Sequence, residues 1–254
     1  MLVAGALAAQ ANRLTPEEKK QGWTLLFDGA TFTGWEDPAK KGTDSFAVED
    51  GCLKAKGHPR YQEDLFSEQT FGDFELVFDW RISKGGNSGV KYRIQDRIWV
   101  QEEKGKKFED QVADSYAHRS DTRPDHGQQY VVGFEYQCID DHGHPDGLRG
   151  GSHASGALYD FIAPASAAAK PVGEFNHARL VVKGSHVEHW LNGVKVVDAD
   201  LAAPAIGQSA AKRWGAGSKV ADLLMRQPVK ECRISLQNHN DEAWFRNIKI
   251  RRLP

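Results

Sequence analysis

Cysteine, charge imbalance and long apolar runs are all scarce in this chain, and each scarcity removes a class of protein. Three cysteines in 254 residues, Cys52, Cys138 and Cys232, are too few and too far apart for a zinc knuckle or a disulfide scaffold. Each sits in a strand-like run, where a free thiol packs as a small hydrophobe. A net charge of −2 and a pI near 6.6 argue against nucleic acid or an anionic membrane surface as partner. No apolar run approaches the roughly 20 residues needed to span a bilayer. Helical periodicity is sparse after Trp23. Material for a core is plentiful: 40% of residues are hydrophobic, among them seven tryptophans and twelve phenylalanines.

Period-two alternation dominates from Trp23 onward. "DFELVFDWRI" sets Phe74, Leu76, Phe78, Trp80 and Ile82 on one face, with Glu75, Asp79 and Arg81 on the other. "SGVKYRIQ" turns Val90, Tyr92 and Ile94 inward and Lys91, Arg93 and Gln95 outward. "VVGFEYQCI" turns Val132, Phe134, Tyr136 and Cys138 inward, with Glu135 and Gln137 opposite. "HARLVVKGSHVEHWLNGVKVVDAD" reads as two or three strands joined at Lys183-Gly184-Ser185 and Asn192-Gly193, the latter pair tolerating the positive φ of a tight hairpin. Many short strands with turn signals between them predict an all-β, antiparallel two-sheet sandwich. Short helices are expected around Asp64–Ser67 and within Leu201–Met225. Residues 97–129, 140–157 and 201–229 interrupt the strands as long polar or Gly/Ala-rich stretches, and loops of that length are usually functional or disordered. One domain, 22–254, follows a tail at 1–21. That tail begins "MLVAGALAAQA", with an A-x-A pattern but no basic start, and is read as a clipped export signal.

The outward faces carry Asp79, Arg81, Arg93, Gln95, Glu135, Gln137, Gln237 and His239. Such side chains offer several directed hydrogen bonds each, as sugar hydroxyls require. If the strands are neighbours they pave a polar floor; an ordinary wet face of an antiparallel sheet has the same pattern. "SKGGNSGVKYRIQ" turns the chain on Gly85 and Gly86 and sets Asn87 at the rim of that floor.

"LLFDGATFTGW", "FGDFELVFDWRISKGGNSGVKYR", "FEYQCIDD", "SGALYDFIAP" and "SLQNHNDEAWFRNIKI" occur in that order. Together with "VEDGCL" and "PVGEFNHARLVVKGSHVEHWLNGVKVV" they make the chain, from about Gly22 to Leu253, resemble the 3-keto-disaccharide hydrolase domain family. The resemblance implies a concanavalin A-like lectin/glucanase jelly roll, and an exported bacterial enzyme that cleaves glycosides oxidised to a ketone at C3. Residues 97–129 depart from the family's shorter connection before "FEYQ".

A C3 ketone acidifies the C2 hydrogen, so a base could start β-elimination of the C1 substituent, and water adding back would give net hydrolysis. That needs a base at C2, a donor or cation at the ketone oxygen, and an acid for the leaving group. It does not need the carboxylate pair of an ordinary glycosidase, and no E-x-D-x-E run is present. Glu135 is the candidate base, although a salt-bridged strand glutamate looks the same. Arg93 is the candidate for the ketone oxygen, and His239 for an acid or base near neutral pH. Asn87, Gln95, Gln137, Gln237 and Asp79 are candidates for hydroxyl recognition, and Tyr159 for closing the pocket. Trp190 could stack on the sugar, but it and His189 point to opposite faces, so at most one reaches the site. "CIDDHGHPDG" (138–147) and "HRSDTRPDH" (118–126) leave room for a divalent cation without matching a calcium loop. Competing readings are a lectin-like module, a conventional glucanase and a structural envelope domain, because this fold hosts several functions.

Overall fold

The computed structural model describes residues 11–36, 44–60, 62–100, 103–117 and 128–254. Two antiparallel sheets face one another. The larger runs Val194–Asp200 (β11), His186–Leu191 (β10), Asn176–Lys183 (β9), Phe74–Ile82 (β6), Ala243–Arg252 (β13), Cys52–Ala55 (β4) and Phe46–Glu49 (β3), with Thr24–Leu25 (β1) also paired to β13. The smaller runs Trp35–Glu36 (β2), Leu65–Ser67 (β5), Ser235–Leu236 (β12), Asn87–Val100 (β7) and Gln128–Ile139 (β8). This is the sandwich that the alternation predicts.

The inward faces are those expected except at Ile94, which packs with Phe66 and Val131 in a separate cluster because β7 loses register between Tyr92 and Asp96. Phe74, Leu76, Phe78, Trp80 and Ile82 from β6 meet Tyr92, Val132, Phe134, Tyr136 and Cys138 from β7 and β8 in one core. The Phe78 and Tyr136 rings pack edge-on at 5.5 Å across the two layers. All three cysteines are free and buried. The β10–β11 turn has Asn192 at φ 50° and Gly193 at φ 86°, the doubly positive pair a two-residue hairpin requires.

Some expectations need correcting. Leu65–Ser67 is a buried strand, not a helix: it is hydrogen-bonded to β2 on one side and β12 on the other. The described residues of the 97–129 stretch are mostly strand and helix. β7 runs on to Val100, helix Phe108–Ala117 follows, and β8 begins at Gln128. Numbering helices in chain order, Pro16–Lys20 is α1, Phe108–Ala117 α2, Pro145–Arg149 α3, Pro204–Trp214 α4 and Lys219–Arg226 α5. The last two lie where helices are expected within Leu201–Met225. Asn12 already packs on the body, exchanging hydrogen bonds with Asn247 of β13 at 2.6 and 2.8 Å, and α1 joins it through Glu18 and Lys249 at 2.6 Å.

The largest departure is a bulge in β7. Tyr92 pairs with Phe134 but the next registered pair is Asp96 with Val132, so three residues of β7 face Gly133 alone. A Cβ on Gly133 would lie 2.9 Å from Tyr92 O, closer than any side chain tolerates, so the bulge and this glycine require one another. Arg93 takes φ 51° and its guanidinium swings away, binding Asp73 Oδ1 at 2.9 Å, Gly184 O at 2.8 Å and Lys230 O at 3.0 Å. Gln95 clamps Val229 through its amide, at 2.9 and 3.0 Å. Arg93 and Gln95 are therefore structural fasteners. Arg93→Ala should lower stability by about 2 kcal/mol, the scale of lost charge-assisted bonds, while turnover measured below the melting transition stays near wild type. Lost turnover at unchanged melting temperature would return Arg93 to the site.

Candidate active site

The outer face of the smaller sheet would be wet in an ordinary antiparallel sandwich. Here it is covered, and β7 reads as buried from Asn87 through Gln95. Strand register sets Lys91 opposite Glu135, and Ser235 of β12 beside Lys91 on its other side. A cavity of about 210 Å³ opens over these strands, bounded by Gln62 and Asp64, by Gln237, Asn238 and His239 after β12, by Tyr159 and Phe161, and by side chains of α2, α4 and α5.

Six residues expected from the sequence meet here: Glu135, Gln137, Asn87, Tyr159, Gln237 and His239. Arg93 and Gln95 are removed by the bulge. Asp79 and Trp190 lie in the other sheet. Asp79 is bound to His177 at 2.8 Å and Asn247 at 2.6 Å on that sheet's outer face. Trp190 is held by Glu188 at 2.8 Å and flanked by Arg179 and Lys195. His189, as its neighbour's opposite, is buried in the core between Tyr92 Oη and Gly156 O, 3.0 Å from each. Neither residue of the His189–Trp190 pair reaches the cavity.

Four participants were missed. Lys91 is half of the central pair; Asp64 lies 3.6 Å from its Nζ and also accepts from Ser235 Oγ at 3.0 Å and Asn238 N at 3.4 Å. Arg213 and Trp214 enter from the end of α4. Arg213 pairs with Asp160 and lies over the rings of Trp214 and Tyr159, at 4.5 and 5.5 Å. Lys91 had a signal in its outward position two residues from Arg93. Arg213 and Trp214, distant in sequence and helical, had none.

Burial dominates the electrostatics. It pushes Glu135 up to about 7; Asp64 adds to the rise while Lys91, His239 and Arg213 oppose it. Burial also raises Asp64, against Lys91 and its hydrogen bonds. Gln137 donates to Glu135 Oε1 at 3.2 Å and Ser88 O at 3.1 Å, the amide orientation that satisfies both ends. Tyr159 donates to Asp146 Oδ2 at 2.9 Å and burial raises its phenol. Such a site holds a carboxyl poised between acid and base beside an ammonium group, in a cavity lined with amides.

For a cation, the 118–126 segment lies outside the described residues. In 138–147 the Asp140 carboxylate accepts from the backbone of Gly85, His142 and Gly143 at 2.7 to 3.0 Å. His144, His239 and Asp241 bring ligand-type atoms within 4.8 Å of one another. His144 Nδ1 already accepts from Asp146 N at 3.1 Å, and Asp241 Oδ2 from Asn87 N at 3.1 Å. These bonds hold loop and strand together.

A buried carboxyl opposite an ammonium group in a covered polar cavity suits acid–base chemistry, and comparison with known proteins gives the family. Residues 22–251 match the 3-keto-alpha-glucoside-1,2-lyase-like domain, and the chain belongs to that family. A 3-keto-disaccharide hydrolase of Bacteroides thetaiotaomicron is 29% identical over 272 residues, covering 96% of this chain and 83% of the relative. A crystal structure from Parabacteroides distasonis, provisionally described as a glycosyl hydrolase, superposes with TM-score 0.70 at 27% identity, covering 96% of this chain and 100% of that one. A second from the same organism, at 24% identity and TM-score 0.61 over 91% of this chain and 99% of its own, shares the fold. The protein is a glycoside hydrolase-like enzyme.

Gly89 gives Glu135 its place. A Cβ there would lie 2.2 Å from Glu135 Oε1, so the carboxylate would have to move, while the backbone would not. Gly89→Ala should cut turnover at least about 100-fold, since small misplacements of a catalytic group cost that much, with little change in melting temperature. Near-normal turnover would mean that the carboxylate's position is unimportant.

Proposed function

We propose that the protein cleaves the glycosidic bond of 3-keto-glycosides and 3-keto-disaccharides by removing the C2 proton and expelling the C1 substituent. The C2–H electron pair moves into an enolate, then forms the C1–C2 double bond as the C1–O bond breaks. Water adding at C1 completes a net hydrolysis. Glu135 is the base. Lys91, rather than Arg93, holds the ketone oxygen as negative charge develops, where a cation in a dry cavity acts strongly. His239 or Tyr159 returns a proton to the leaving oxygen, and Gln137, Gln237 and Asn87 bind hydroxyls.

The observation that carries this reading is the buried Glu135 carboxyl, raised to about 7, opposite Lys91 in β7. A conventional glycosidase needs a second carboxylate free to act. Asp64 is the neighbour of the right kind, and both its oxygens are taken by Lys91, Ser235 and Asn238. The start "MLVAGALAAQA" supports the further proposal that the protein is exported to the periplasm or beyond.

The test supplies a 3-keto-glucoside and its unoxidised parent in D₂O. Aglycone release from the keto compound alone, with deuterium gained at C2 beyond enzyme-free exchange, is expected. Release without that deuterium would replace elimination by direct hydrolysis, and glycan binding without release would make the protein a lectin.

Two further outcomes follow from the Glu135 environment. The base works only when ionised, so kcat/KM should rise with pH through an apparent pKa near 7, and Glu135→Gln should lower kcat by about 10²–10⁴. A limb near 4.5 would identify a different base. The same carboxyl has a folded pKa above its unfolded one, so its proton is held more tightly in the folded state. The contribution of this one carboxyl to stability is therefore full below about 4.5 and is lost as pH rises through 7, by up to roughly 3 kcal/mol. Glu135→Gln should melt higher than wild type at pH 8 and lose that advantage at pH 4.5.

A further inference from the structure

The cavity has two unlike walls. Toward β5 and β12, Gln62, Gln237, Asn238 and His239 offer amides and an imidazole. Toward the start of β8 the wall is aromatic. Tyr130 and Trp214 have ring centroids 5.1 Å apart, Phe108 and Tyr130 5.5 Å, and Phe108 and Trp214 6.5 Å. These rings come from α2, β8 and α4, and all three border the cavity. Phe108 and Tyr130 remain half-buried and Trp214 is buried, and each keeps some surface on the cavity. None of the three has a part in the acid–base steps above.

We propose that this aromatic wall is the leaving-group subsite and that it takes a planar aromatic aglycone, so that the favoured substrates are 3-keto-glucosides of phenols. The inference rests on the proposed reaction. A second sugar against this wall would set hydroxyl groups against ring faces that neither donate nor accept a conventional hydrogen bond, and the Arg213 guanidinium above Trp214 already gives one arm to Asp160. A hydroxyl buried there without a partner gives up its water bonds with nothing in return. An aromatic aglycone instead covers ring surface and stacks. The chemistry agrees. A phenol, with a pKa of about 10, leaves as its anion far more readily than an alcohol, whose pKa is nearer the 15.7 of water. The aromatic wall then needs no proton donor of its own.

The test uses Glu135→Gln, which should bind 3-keto-glycosides without turning them over, and compares the Kd of phenyl, methyl and glucosyl 3-keto-glucosides. Binding alone is read, so leaving-group ability drops out. The phenyl compound should bind about tenfold tighter than the other two, the worth of one well-buried ring face. Adding Trp214→Ala should remove most of that advantage, and Trp214→Phe should restore part of it. Phe108→Leu serves if Trp214→Ala does not fold. Glucosyl binding as tight as phenyl, or a phenyl preference that survives in folded Trp214→Ala, would overturn the proposal. If wild type instead cleaves no 3-keto-glycoside at all, the reaction itself is wrong and the inference falls with it.

Discussion

Covering both faces of an antiparallel sheet is the constraint from which the site follows. An open sandwich leaves its outer faces in water, where a glutamate stays an ordinary acid. Here helices α2, α4 and α5 and the 140–162 segment close over the smaller sheet. The polar side chains of β8, and those of β7 before its bulge, then lose their solvent without losing their alternation. Desolvation of Glu135 follows directly, and Lys91 and Asp64 are tolerable there only because they face one another. The cover comes from long insertions between strands, so the sandwich provides the register and the insertions provide the dielectric.

The two outer faces of this molecule show how much that cover matters. On the larger sheet, Glu75 takes Arg179 and Arg251, and Asp79 takes His177 and Asn247. Although burial opposes it, these partners hold the Asp79 carboxyl below its usual range. Arg81 lies over Trp244 at 4.2 Å and Phe175 at 4.9 Å. That face neutralises itself through ion pairs and stacking while still reaching water. On the smaller sheet the balance tips the other way, and a carboxyl is pushed upward. Similar residues thus end as an ion-paired surface on one sheet and a desolvated floor on the other.

This contrast also sets what could be read from the sequence. Alternation placed each β6 and β8 side chain on the correct face, and Asn-Gly marked a hairpin, because both depend on local backbone geometry. Period two says nothing about which sheet a strand joins, so Asp79 and Trp190 looked equivalent to Glu135 and Gln137. Arg93 failed for a different reason: the bulge opposite Gly133 breaks the period that placed it. Leu65–Ser67 is too short to show a period at all. Arg213 and Trp214 reach the cavity through tertiary packing of a helix some 80 residues beyond Glu135 in the chain, a contact that no local pattern encodes.

The bulge ties these points together. By rotating Arg93 and Gln95 away from the cavity it leaves Lys91 as the cation of β7 that faces Glu135. A guanidinium would bring several fixed donors and bind a carboxylate in a fork, which would hold Glu135 as a permanent ion pair of low pKa. An ammonium is a single compact charge, here shared with Asp64 at 3.6 Å, and it compensates Glu135 only partly. The carboxyl therefore stays near the point where it can both take and release a proton in the working pH range. Under the proposed reaction the same ammonium is free to follow charge onto the ketone oxygen as the proton leaves C2. The sequence "KYR" thus holds two cations in different places: Arg93 fastens the fold from outside the cavity, and Lys91 faces Glu135 within it.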